Sequence, residues 1–69
     1  MEKFKEIQEK QKNYCNKLIE VSVKEDERMK QDLTIEVCGF IKDIRKNENL
    51  SEEEKIALKR ELIRHLKLL

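Results

Sequence analysis

From Phe4 to Ile44 the apolar residues of this chain keep a single helical phase, and nothing else in the sequence constrains the fold as strongly. A wheel stepped at about 100° per residue, started at Phe4, places Ile7, Tyr14, Cys15, Leu18, Ile19 and Val21 on one face. Without resetting the wheel, Met29, Leu33, Val37, Phe40 and Ile44 land on that face too, with Ile41 at its edge. A sustained 3.6-residue period specifies amphipathic helix, and the two-residue alternation of a half-buried strand is absent.

The stripe is interrupted at Ser22–Arg28, where Glu25 occupies the seam. Two readings compete. Lys, Glu and Arg are good helix formers and no breaker intervenes, so one helix can run through. Alternatively the chain bends or breaks near Ser22–Asp26 into two helices. The preserved phase favours continuity. A helix from Glu2 to Lys46 would be a rod roughly 65–70 Å long at 1.5 Å per residue. Such a rod cannot bury its own stripe and would need a partner.

The next boundary is sharper. In "NENLSEEEK", Asn47 to Lys55, Ser51 and Glu54 have the spacing of a capping box, in which hydroxyl and carboxylate satisfy each other's backbone amide. Glu52, Glu53 and Glu54 suit the positive end of a helix dipole, and Lys59, Arg60, Arg64 and Lys67 lie toward the negative end. The spacing predicts a helix from about Glu52 to Lys67 or beyond. Its apolar face is Leu58, Leu62, Leu66 and Leu69, widened by Ile63 and more loosely by Ile56. A turn at 47–50 sets two helices antiparallel, which folds the leucines back onto Val37, Phe40, Ile41 and Ile44.

A chain of 69 residues holds at most one small domain. Residues 1–46 supply the long helix or two shorter ones, 47–50 the turn and 51–69 the terminal helix. Charged residues make up 45% and hydrophobic ones 38%, a composition typical of helical bundles and coiled coils that folds only if the apolar residues are well placed. Sixteen basic and fifteen acidic residues leave a net charge of +1, which argues against a strongly cationic nucleic-acid binder. No apolar run is long enough to span a bilayer, and the charged start "MEKFKEIQEK" lacks a signal peptide's apolar core. Two cysteines make no disulfide framework. These features lead to the expectation of an intracellular protein in a reducing compartment.

Each candidate chemistry has a plainer competitor. With Asp43 as position 1 of a calcium-binding loop, Asn47, Asn49, Ser51 and Glu54 fall on ligand positions. However, Arg45 stands where a ligand is needed and Glu48 where the turn needs glycine. Cys15, Cys38 and His65 are too few and too scattered for zinc. Cys15 reads as a small core residue, Cys38 as partly exposed and His65 as the border of the leucine face. No nucleophile–base pair or carboxylate dyad suggests catalysis, and no cofactor is expected. Arg60, Arg64 and Lys67, with Lys42, Arg45 and Lys46 nearby, form a basic stripe that would meet phosphates, or a solvated face holding i,i+4 pairs. Gly39, the single glycine, lies opposite the stripe, either as a close-approach point for another helix or as a neutral surface position.

The segment from about Leu33 to Leu69 resembles a BESS motif, a two-helix interaction module of insect nuclear proteins that often accompanies a MADF DNA-binding domain. The resemblance rests on Phe40, Ile41 and Ile44, Leu50 at the turn, and "KIALKRELIRHL" with Lys55, Lys59, Leu62 and Leu66. The serine and proline usual in that family's first helix are not matched. The resemblance implies a nuclear self-association or partner-docking module in a transcription or chromatin protein; without it a cytoplasmic location is expected.

The expectation is therefore an all-α, non-enzymatic interaction domain that self-associates as a homodimer. Burial of the stripe between chains would drive it, through Leu18, Met29, Leu33, Val37, Phe40, Ile41, Ile44, Leu58, Leu62 and Leu66, with Ser51 and Glu54 capping the last helix. A small regulator that docks on and inhibits an enzyme is the first alternative, and a helical nucleic-acid-binding module is the second.

Overall fold

Asp26 decides the first question about the architecture. The computed structural model describes residues 3–69, with side chains from Phe4 onward; Glu2, where the first helix is expected to begin, lies outside them. Asp26 has extended backbone angles, φ −104° and ψ 98°, and its carboxylate accepts from the Met29 amide at 3.1 Å. This is an N-cap, and it starts a new helix. Helix α1 spans Lys3–Ser22, α2 spans Glu27–Lys46 and α3 spans Glu52–Leu66. The uninterrupted rod favoured by the wheel is thus replaced by its alternative, a break at residues 23–26. The last turn of α1 is closed by the Ser22 hydroxyl donating to the Ile19 carbonyl at 2.7 Å and by the Lys24 amide donating to Val21 at 3.0 Å.

The wheel is insensitive to this break for a geometric reason. Four residues lie between α1 and α2, and a helical turn takes 3.6. Exchanging one turn of helix for this loop leaves the apolar phase almost unchanged. The difference is large in three dimensions: the longest extent is 39 Å, against the 65–70 Å of a straight rod.

The second turn follows the sequence closely. The Ser51 hydroxyl accepts from the Glu54 amide at 3.1 Å and a Glu54 carboxylate oxygen accepts from the Ser51 amide at 2.9 Å, completing the capping box. Asn47 caps the end of α2, and its side-chain oxygen accepts from the Asn49 amide at 2.7 Å. The oxygen-rich stretch thus serves backbone amides. Lys55 lays its stem against the protein and donates its ammonium to the Arg45 carbonyl at 3.2 Å, with Glu52 at 3.7 Å. A cation is thereby placed on the unsatisfied carbonyl end of α2.

The three helices form an up-down-up bundle. Lys17, Val21 and Lys24 line one groove with Met29, Leu33 and Glu36, whereas Tyr14, earlier in α1, packs on Phe40, later in α2, so these two helices run antiparallel. Between α1 and α3, Gln11 reaches Leu58 and Cys15 reaches Glu61, so these two run parallel. Helix α3 packs against both of the others. The core contains Cys15, Leu18 and Val21 from α1, Leu33, Val37, Phe40 and Ile44 from α2, Leu50 from the turn, and Leu58 and Leu62 from α3. Leu18, Val37, Ile44, Leu58 and Leu62 are essentially fully buried, and each such side chain contributes about 1.5–3 kcal/mol.

Candidate interaction surface

Closing the bundle changes what the stripe is available for. Leu18, Leu33, Val37, Phe40, Ile44, Leu58 and Leu62, expected to meet a second chain, pack against one another inside this one. Ile41 and Leu66 sit half-buried at the edge of that core. Met29, by contrast, is 41% exposed. Breaking the helix at 23–26 gives α1 an intrachain partner, and this removes the demand for another chain that an unbroken rod would have imposed. Ile19, also on the stripe, points out of the bundle, and so do Ile56 and Ile63, which were expected to widen the leucine face.

The buried polar features are structural in kind. The Gln11 side-chain amide donates to the Leu58 carbonyl at 3.3 Å. The Cys15 thiol lies 4.0 Å from the Glu61 carbonyl, and Nδ1 of His65 lies 2.7 Å from the same oxygen. Cys15 is a core residue, with its thiol raised above the usual range by burial and then by the Glu61 charge, the reverse of what a nucleophilic thiolate needs. Cys38 is exposed. Among the described residues no group of His, Cys, Asp and Glu side chains converges to hold a metal ion. No described helix is long and apolar enough to cross a membrane.

Several shallow grooves mark the surface. The first is a groove of about 510 Å³ between α1 and α2. Tyr14 and Phe40 form its floor, with ring centroids 5.1 Å apart and planes tilted by 40°. Lys10 and Lys17 face Glu36 and Asp43 across it, so its charge is balanced. Burial first, then the Glu36 carboxylate and Asp43, raise the Tyr14 phenol above its ordinary value. Gly39 lines this groove, and a β-carbon built on it would touch nothing within 4 Å. Among the described residues no helix makes close contact at that point, which fits the neutral-surface alternative.

The second region is a shallow groove of about 350 Å³ on the outer side of α3, bordered by Ile56, Ile63, Lys59, Arg60, Arg64 and Lys67. Ile56 is 48% and Ile63 45% exposed. Arg64 pairs with Glu61 at 3.0 Å. Lys42, Arg45 and Lys46 form a separate shallow depression on α2. The sequence shows these cations as a stripe. What it misses is that two isoleucines lie among them rather than in the core, because the core-facing arc of α3 is already filled by Leu58 and Leu62.

Comparison with protein-family models, with curated proteins and with solved structures finds no match to this chain.

Proposed function

We propose that this protein is a non-enzymatic protein-interaction module, acting through the faces left exposed once its core has closed. The observation that supports the reading is the set of apolar side chains outside that core: Ile35 at 70% exposure, with Ile56 and Ile63 on α3. Single exposed apolar residues are ordinary. Isoleucines grouped along a groove on a rigid helix are the usual footing of a helix–helix contact.

Self-association as a homodimer is one form of this function and docking on a different protein, including inhibition of an enzyme, is the other. With Leu18, Val37 and Leu62 inside the bundle, either form has to use outward-facing residues. A transcription or chromatin setting would follow from the BESS likeness of residues 33–69. Direct nucleic-acid binding has less support, since exposed aromatic platforms for base stacking are lacking among the described residues.

Sedimentation equilibrium of the whole chain at micromolar concentration tests the self-associating form. A mass of twice 8.4 kDa that returns to the monomer in Ile35→Asp or Ile63→Asp supports it. A monomer throughout overturns it and leaves docking on a different protein.

A further inference from the structure

We propose that the outer face of α3 is a docking site for an acidic amphipathic helix of a partner protein, an inference that rests on the interaction-module reading and specifies its ligand. Ile56 and Ile63 are seven residues apart, within about 20° of each other on the helix and roughly 10 Å apart along it. They form a short apolar rail on the solvent side, each about half-exposed. Lys59, Arg60, Arg64 and Lys67 border the same groove, and no acidic residue does. The nearest acids of α3 stand at the ends of this face: Glu52 and Glu53 lie one turn before Ile56, and the Glu61 carboxylate pairs with Arg64 at 3.0 Å, leaving Lys59, Arg60 and Lys67 around the rail. In a chain whose net charge is only +1, this is a locally cationic surface with apolar residues in its middle.

Charge selects the occupant. A second copy docking through the same face in the antiparallel sense would seat Ile56 on Ile63, but it would also bring Lys59 and Arg60 of both helices together at the two-fold axis. Like charges so placed repel. A phosphate backbone would satisfy the cations and leave the isoleucines idle. A bilayer surface calls for a broader apolar face with aromatic anchors, and this one offers two isoleucines. A helix with apolar residues three, four and seven apart, flanked by Glu or Asp, satisfies both components of the face. Its apolar side covers the rail and its carboxylates reach Lys59, Arg60 and Lys67.

The test uses the whole chain and a fluorescein-labelled synthetic helical peptide of roughly 18 residues, with a leucine rail and flanking glutamates, read by anisotropy. The peptide should bind, and should bind at least about tenfold more tightly than a scrambled peptide of the same composition. Binding should weaken by on the order of tenfold in Arg60→Glu, in Lys67→Glu and in Ile63→Ser, and should be unchanged in Val23→Ser in the α1–α2 loop. Circular dichroism verifies the fold of each variant; all four positions are exposed, so at least one charge variant should remain folded for comparison. Lack of binding overturns the proposal. So does equal binding of the scrambled peptide, which would show charge attraction alone, and so does tighter binding of duplex DNA or of phosphatidylserine vesicles. If the peptide fails while sedimentation finds a dimer, this site is wrong and the interaction-module reading stands.

Discussion

The Gln11 side-chain amide donates to the main-chain carbonyl of Leu58 across 3.3 Å, joining residues forty-seven positions apart. This bond lies in the parallel contact between α1 and α3, the pairing that turns an αα-hairpin into a three-helix bundle. A partly buried hydrogen bond of this kind contributes about 1 kcal/mol net. Gln11→Ala should therefore lower the unfolding free energy by about 1 kcal/mol in urea titration. Gln8→Ala, on the exposed side of the same helix, should leave it unchanged.

Replacing Gly39 by alanine should stabilise the protein. The residue is inside α2, has no positive φ, and its β-carbon would meet open space. Alanine is favoured over glycine in a helix interior by roughly 0.5–1 kcal/mol. For a domain of this size that corresponds to a rise in Tm of roughly 2–8 °C. A lower Tm on thermal denaturation would mean that something packs against this position.

The capping box should behave as a coupled pair. Ser51→Ala should cost about 1 kcal/mol, and Glu54→Ala a comparable amount or less. The double variant should cost less than the sum, because each side chain satisfies the other's backbone amide. Denaturant titrations of the four proteins of the cycle measure the coupling, and strict additivity would count against the reciprocal bond.

Burial separates the two cysteines and sets an alkaline limit on stability. Cys38 should react with a thiol reagent at the rate of a free thiol, while Cys15 should react only as the chain opens. The pKa values of both Cys15 and Tyr14 are raised in the folded state. The folded protein therefore holds these protons more tightly than the unfolded chain. Their stabilising contribution is complete below the unfolded values of 9.0 and 10.0 and declines as pH rises through and beyond them. Urea midpoints measured from pH 8 to 11 should fall, and less steeply in Tyr14→Phe. Tyr14 is the single tyrosine, so its ultraviolet titration reports this group without overlap and should lie above that of the urea-unfolded chain.

Legibility in the sequence followed the range of the interactions. The capping box at Ser51 and Glu54 and the start of α3 depend on atoms within one helical turn, and residue spacing alone determines them. Much of the core was legible, since periodicity reports which side chains share a face; Leu50, in the turn, lies outside that periodicity, and Ile19 and Met29, on the stripe, are exposed. Periodicity does not report what that face meets. Asp26 is a favourable N-cap residue followed by Glu27, so a local signal for the break existed, but the uninterrupted phase outweighed it. The candidate face of α3 is half-legible: its cations are apparent in the sequence, whereas nothing in the sequence separates Ile56 and Ile63 from the leucine face.

What the sequence determined by itself was the helical class of the fold, the two ends of the Asn47–Ser51 turn, and the apolar identity of the stripe; all follow from chemistry local to a few residues. Tertiary structure decided that α1 stops at Ser22, that it lies parallel to α3, and that the stripe is covered by its own chain. The reason is that a four-residue loop and a turn of helix are nearly equivalent on a wheel but not in space. Only the break lets Leu18, Val37 and Leu62 reach one another, and burying those side chains favours the folded-back bundle over the rod. With that arc of α3 occupied, Ile56 and Ile63 are left facing outward among Lys59, Arg60, Arg64 and Lys67.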